Sequence, residues 1–369
     1  MRIAIDARLT HYTSGGISQY IRALAAGLPA LDPSNEYVVL HSHKAHETLS
    51  LPENARRANC WSPAHHRWER WTLSAEVHAH RPHLLHSPDF IPPRGGKWRS
   101  VITVHDLTFL HFPQFLTPDS RRYYNGQIKA AVARADAILA DSEATRRDLL
   151  DLLQVAPEAV TTVHLAPDPR FAPQPERAVT ALRARYGLAA EYILFVGTFE
   201  PRKNVSGLLR AYAQLRGDLP DAPQLVLAGN PGWLFDPIAD LTAQLALTES
   251  VHFLPAFPAA ELPALYSGAA AFILPSHYEG FGLPVLEAMA CGAPCVIAKR
   301  ASLPEIAGEA ALQCDPDDAA SIAFALRRVL TEADLRANLH RRGPLRAAEF
   351  SWGKCCRETL AVYQRALAG

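Results

Sequence analysis

AAFILPSHYEGFGLPVLEAMACGAPCVIA, Ala270 to Ala298, decides the fold. An apolar run ends at a proline, a glycine-rich turn follows, then a helical stretch, then a second apolar run. Gly280 and Gly282 permit a tight turn, and Pro284 suits the first turn of a helix. Strand, covering helix and second strand form the unit from which parallel sheets are built. Two acids stand in it with seven residues between them: Glu279 in the turn and Glu287 about one turn into the helix. Three uses are open to them: a salt-bridged core, a metal site, or a grip on a polar ligand.

The same alternation runs outward in both directions. RIAIDAR, YVVLHS, HLLHSP, VITVHD, DAILADS and VTTVHLAP read as strands, with helices in GISQYIRALAAGL, RRYYNGQIKAAVARA and EATRRDLLDLL. The proline-dense, aperiodic APDPRFAPQPERAV, Ala166–Val179, reads as a linker. Alternation then restarts with YILFVG, LVLAG and VHFLP. The pattern predicts an α/β protein of two doubly wound Rossmann-like domains, 1–170 and 171–351, with a central cleft between them. A last helix, about 352–369, is able to cross back to the first domain.

Composition narrows the function. Lys plus Arg number 37 and Asp plus Glu number 37, a formal net charge of zero. That argues against a general nucleic-acid binder, which carries a basic excess. No apolar run approaches the roughly 18 residues of a membrane span, and MRIAIDARLT lacks the apolar core of a secretory signal. The expectation is a cytoplasmic protein, at most peripheral at the inner face of a membrane. None of the six cysteines is in CxxC spacing, so buried reduced thiols are expected. HAHRPHLLH brings His78, His80, His83 and His86 close in sequence, but a helix-to-strand change at Arg81-Pro82 should splay them.

Ligands of open α/β sheets bind beyond the carboxyl ends of the strands. There, YILFVG runs into TFEPRKN, placing Arg202 and Lys203 before a helix that starts near Asn204. Two cations with free helix N–H groups make a phosphate site. The N–H groups around Gly282 and Leu283 favour an anion in the same way. Carboxylates repel anions, so Glu279 and Glu287 better accept bonds from hydroxyls. Phosphates plus hydroxyls describe a nucleotide sugar. A buried salt-bridged role for these acids is disfavoured by their placement. DPDD, with Asp315 and Asp317, has the spacing for a metal-bound diphosphate, but capping of the following helix by Asp317 or a nearby Asp is the stronger reading. GxGxxG is absent after the first strand: Gly15 and Gly16 in GGISQY lack a third glycine, and GNPGW also fails, which disfavours a dehydrogenase.

VGTFEPRKN followed by EGFGLPVLEAMACGAPCV resembles the retaining glycosyltransferases of GT-B fold, family 4. GGISQY, TVHD, ADS and LPEIAG occur in the expected order over nearly the whole chain. EPRKN looks like that of GDP-mannose-dependent members that build bacterial polysaccharides. The resemblance implies that Glu287 holds the ribose hydroxyls and that Arg202 and Lys203 neutralise the leaving diphosphate. Glu279, with the backbone of Gly280, Phe281, Gly282 and Leu283, would grip the donor sugar and its phosphate. It implies that His105 reaches the donor sugar and that Gly15 and Gly16 admit the diphosphate or acceptor. Gly197 would line the donor site, with the base near Phe253 and Leu254. Catalysis would fall to His105, Arg202, Lys203 and Glu279, with no metal or other cofactor, by front-face attack with retention.

The first domain should choose the acceptor, a glycan or a lipid-linked oligosaccharide. Trp61, Arg67, Trp68, Arg70 and Trp71 interleave aromatic and basic residues, and a helix from Pro63 would put Trp68 and Trp71 on one face. Arg94, Lys97, Trp98 and Arg99 add a second basic segment, and both are expected to face an anionic membrane or acceptor. A nucleotide-sugar epimerase or phosphorylase of the same fold and a non-catalytic nucleotide-sugar-binding subunit are the alternatives.

Overall fold

The computed structural model describes residues 1–12, 15–46, 49–64, 66, 68–115, 118–230 and 235–369, with 118–120 and 235–236 as backbone alone. Arg67, and residues 231–233 of GNPGW, lie outside the described residues. The chain forms two compact units, Met1–Leu165 with Ser351–Gly369, and Ala166–Phe350.

The first unit is built on seven strands: β1 Arg2–Asp6, β2 Glu36–Ser42, β3 Ala55–Cys60, β4 Leu84–Ser87, β5 Arg99–Val104, β6 Ala137–Ala140 and β7 Val160–Thr162. Their order is β3-β2-β1-β4-β5-β6-β7 and every pairing is parallel. The second unit has β8 Tyr192–Val196, β9 Gln224–Ala228, β10 Val251–Leu254, β11 Ala271–Leu274, β12 Cys295–Ala298 and β13 Ala311–Cys314. They are also all parallel, in the order β10-β9-β8-β11-β12-β13. β4, β11 and β12 are buried at every residue, so they read as unbroken apolar runs and not as alternations. In each sheet the strand order reverses beside the first strand, at β1/β4 and at β8/β11, which are the switch points where such folds open a ligand site.

Local chemistry starts the helices. Ser142 accepts from the Thr145 N–H and caps Glu143–Leu153, and Ser351 caps Trp352–Ala368 through Lys354 N–H. That last helix packs on Gly16–Leu31 of the first unit, and its buried Tyr363 hydroxyl lies 2.6 Å from His86 Nδ1.

The helix expected from Pro63 begins instead at Glu69. The Glu76 carboxylate accepts from the N–H groups of Trp61 and Ser62 and from the Ser62 hydroxyl, which ties the chain before Pro63 to that later-starting helix. The histidine run divides at Arg81, which caps the Glu69–His80 helix in the left-handed region. His83 then accepts from Arg2 N–H, while His86 turns inward to Tyr363 and Thr103.

Candidate active site

The basic turn of the second unit follows β8 as a single 3-10 turn, Pro201–Lys203. Asn204, at φ 57°, starts the helix Val205–Asp218 and caps it through Gly207 N–H. Its amide also donates to the carbonyls of Pro275, at 3.2 Å, and Pro316, at 2.6 Å. One side chain thus fixes the loops after β8, β11 and β13 to one another. The His277 N–H adds a bond to the Arg202 carbonyl.

Those ties bring the cations onto Glu279. Lys203 Nζ donates to its Oε1 at 2.6 Å and Arg202 Nη1 to its Oε2 at 2.8 Å, and Ser276 Oγ donates to Oε1 at 2.7 Å. Burial works against charge on Glu279, but Lys203 and Arg202 outweigh it and hold the carboxyl at about 2. This corrects the expectation from placement: Glu279 is a buried, salt-bridged acid, and its partners are the two cations read as diphosphate ligands. Arg202 also donates to Glu200 at 2.9 Å. The two positive charges of the turn are therefore matched by two carboxylates. The turn offers oriented N–H donors more than net charge, since Lys203 has three donors and Arg202 five.

Gly282 closes the loop at φ 104°, and a Cβ there would lie 2.6 Å from Leu303 Cδ2. The Ser302 hydroxyl sits 2.8 Å from the carbonyls of both Glu279 and Phe281 and pins the loop from behind. The helix Leu283–Ala290 begins with no side-chain cap. Pro284 carries no N–H and the Val285 N–H turns back to the Gly282 carbonyl, so of its first three residues Leu283 is the one with an N–H to offer an anion.

Glu287 stands apart from the knot. It is buried on that helix, and Oε2 accepts from the Tyr266 hydroxyl at 3.0 Å. Burial pushes its carboxyl up to about 7, against the opposing pull of the Tyr266 bond and of Arg170. The Tyr266 ring is held edge-on by Phe171 and Phe272. On the other side of β8, Gly197 N–H donates to Ala228 O. A Cβ on Gly229, at φ 147°, would lie 2.1 Å from the Gly197 carbonyl, so the loops after β8 and β9 touch backbone to backbone. Phe253 meets Phe199 edge-on, and Leu254 is buried.

Asp315 and Asp317 both lean on Arg300, at 3.8 and 2.7 Å, and Asp317 meets His277 at 3.0 Å. Asp318, not Asp317, caps the following helix.

In the first unit, His105 follows β5. Its Nδ1 lies 2.6 Å from Asp141 Oδ2 and its Nε2 lies 2.8 Å from the Pro88 carbonyl. Both nitrogens face acceptors, as only an imidazolium satisfies. Burial opposes that charge, yet Asp141 prevails and pushes His105 up to about 9. The ring is thus held at both nitrogens inside its own unit. Gly15 precedes the Gly16–Leu31 helix, again without a side-chain cap.

The expected acceptor surface is divided. Trp61, Trp68 and Trp71 are exposed at 74%, 55% and 55%, and Arg94 lies over the Trp71 ring at 4.1 Å. Arg70 donates to Gln127 and to the Pro92 carbonyl, and Lys97 is exposed. Trp98 does not belong to this surface: it packs on the core of Ala4, Val38, Leu40 and Leu85. Nor does Arg99, which opens β5 at the sheet's amino edge and pairs with Asp136 at 2.9 Å.

Tyr266, Ser276, Ser302 and Asp141 are given no part in the site by the sequence, and Asn204 only the start of a helix. Asn204 and Ser276 stand in the EPRKN and Glu279 stretches and Asp141 in the ADS following β6, while Tyr266 and Ser302 stand in no motif.

Comparison with known proteins bears on both units. A family model described as glycosyl transferases group 1 matches residues 182–346, and one described as glycosyltransferase family 4 matches 14–171. O-antigen chain mannosyltransferase B of Escherichia coli is 33% identical over 301 residues, covering 81% of this chain and 78% of that protein. The serotype-specific mannosyltransferase WbdA of Escherichia coli is 31% identical over 284 residues, 75% of this chain but 35% of that longer protein. Among solved structures, sucrose-phosphate synthase from Thermosynechococcus elongatus has a TM-score of 0.81 at 21% identity, covering 100% of this chain and 99% of that one.

Proposed function

The chain belongs to the group 1, family 4 glycosyltransferases, and from that premise we propose that it moves mannose from GDP-mannose onto a growing glycan or lipid-linked oligosaccharide, with retention, in bacterial polysaccharide assembly. Two of its relatives are named as mannosyltransferases. The observation that carries the reading is the Arg202–Lys203–Glu279 knot beside an uncapped helix start at the β8/β11 switch point.

In this reading Glu279 does not attack the sugar. Two cations occupy its carboxylate, so its work is to hold their remaining N–H groups toward the diphosphate. Charge grows on the departing phosphate oxygen as its bond to the anomeric carbon breaks, and pre-aimed donors stabilise that charge without reorganising. The acceptor oxygen bonds to the same face of that carbon and its proton passes to the departing phosphate oxygen. No metal or other cofactor has a part in this scheme. Glu287 accepts bonds from the ribose hydroxyls, with Tyr266 holding its orientation, and Gly197, Phe253 and Leu254 receive the base. Among the described residues no helix is long and apolar enough to cross a membrane. The exposed tryptophans with Arg70, Arg94 and Lys97 serve as a peripheral contact to a cytoplasmic membrane face or to the acceptor's lipid.

Nucleotide release from GDP-mannose, UDP-glucose and ADP-glucose, measured over a panel of mannosylated acceptors with NMR of the new linkage, tests this. An α-mannoside formed from GDP-mannose is expected. Transfer from UDP-glucose alone overturns the donor, a β-linked product overturns retention, and donor turnover without any acceptor favours an epimerase.

A further inference from the structure

A cavity of about 410 Å³ opens at the amino-terminal ends of β8, β11 and β12. Glu191, Ala270 and Pro294, each one residue before its strand, form part of its wall. The Arg202–Lys203–Glu279 knot follows the carboxyl ends of β8 and β11. β8 has five residues, so the two edges are about 17 Å apart at roughly 3.3 Å per residue. The cavity is a separate place in the second unit.

Its chemistry is that of an anion site. Arg183 comes from the helix Glu176–Tyr186. Arg336 and His340 come from one face of the helix Ala333–Ala347. Glu191 is the one carboxylate in the lining among the described residues, and the remaining wall is mostly alanine and glycine, which leaves the room. The basic groups are not saturated. Arg336 reaches Glu191 only at 3.3 Å, with the side chains 38% and 62% exposed, a pair of little strength. Arg183 donates to the Gly268 carbonyl at 3.1 Å and to the exposed Glu176, while its buried Nε has no partner. His340 Nδ1 lies 2.6 Å from the Gly292 carbonyl, so that nitrogen donates and Nε2 is an acceptor for a ligand hydroxyl.

We infer that this cavity binds a small phosphorylated sugar, its phosphate held by Arg336 and Arg183, one of its hydroxyls donating to His340 Nε2, and its ring lying on the alanine floor. Planar guanidinium forks match phosphate oxygens two at a time, and the volume lies in the range that encloses a small ligand. This site is independent of the donor site and of its proposed nucleotide.

Isothermal titration of the full chain with glucose 6-phosphate, inorganic phosphate and glucose, at matched ionic strength and with or without GDP, tests it. Saturable binding of glucose 6-phosphate is expected, weaker for phosphate, nil for glucose and unchanged by GDP. Arg336→Gln should weaken it about tenfold, the loss of one charge-assisted bond. Ala337→Trp should abolish it by filling the space with both arginines kept, and circular dichroism of each variant should match the parent. No binding by the parent, equal affinity in both variants, or competition by GDP would overturn the site. A failure of GDP itself to bind would count against the proposed donor and leave this cavity intact.

Discussion

Replacing Glu287 by Gln should make the protein more stable at pH 8 and leave it nearly unchanged at pH 5. Glu287 is 6% exposed, and burial raises its carboxyl from 4.5 to about 7. Below pH 4.5 both folded and unfolded chains keep the proton and no penalty exists. Between 4.5 and 7 the unfolded chain releases it while the folded chain retains it, so stability falls as pH rises. Above 7 the whole difference is lost, about 3 kcal/mol at 1.36 kcal/mol per pH unit. Glutamine cannot ionise and escapes this loss. Its oxygen still accepts from Tyr266, but its NH₂ becomes a buried donor without a partner, costing about 1 kcal/mol. The net gain at pH 8 is about 2 kcal/mol, or roughly 4–8 °C in Tm for a unit of this size. At pH 5 the penalty escaped is under about 1 kcal/mol, which the unpaired NH₂ cancels. Thermal melts by circular dichroism at the two pH values measure this. A variant that melts no higher than the parent at pH 8, or that gains equally at both pH values, would show that burial does not govern this carboxyl. Calorimetry with GDP should show the opposite sign, since an amide accepts fewer hydroxyl bonds; unchanged GDP affinity would refute the ribose role.

Glu279→Gln leaves the buried Lys203 without a counter-charge and Arg202 with Glu200 alone, and should cost about 3–5 kcal/mol. It should also flatten the acid limb of the parent's stability. Glu279, held at about 2, contributes stability that is present above pH 4.5 and lost as pH falls toward 2; an unchanged acid limb would refute this. Arg202→Ala should lower kcat about 10²-fold, as loss of a donor to developing charge does, and turnover within about twofold of the parent would exclude the role. His105 holds stability that is full below pH 6.5 and lost as pH rises through about 9. Asp141→Asn should move the imidazole titration, followed by NMR, toward 6.5, and an unmoved titration would show that Asp141 does not hold the charge. Anionic vesicles should sediment the protein better than neutral ones, the more so at low salt, and less well after Arg70, Arg94 and Lys97 are neutralised; equal sedimentation would remove the membrane contact.

The fold was legible wherever a strand is covered on both faces. β8, β11 and β12 read directly from apolar runs. β3 and β13, two of the four edge strands, are not legible in the sequence, whereas the other two, β7 and β10, are. ARRANC alternates exposed and buried residues, and ALQC has one fully buried position, so neither presents an apolar run. The helix starts after Ser142 and Ser351 were legible as well, and the start at Glu69 was not. In the site, residue type and strand-end position pointed to Arg202, Lys203, Glu279 and Glu287. Their partners were hidden. Arg202 and Glu279 are 77 residues apart, and periodicity carries no information about which acid meets which base at that range. Tyr266 looks like any core aromatic until its hydroxyl is seen on Glu287.

The return of the Trp352–Ala368 helix to the first unit sets an order of assembly. During synthesis the first unit emerges before the second, yet it lacks the helix that covers Gly16–Leu31 and the hydroxyl that answers His86. The second unit is therefore the first to be finished, although domains generally complete from the amino terminus onward. Until Tyr363 arrives, His86 stays an open polar group in an unfinished core. A nascent chain halted after Phe350 should carry a finished second unit and a protease-sensitive first one.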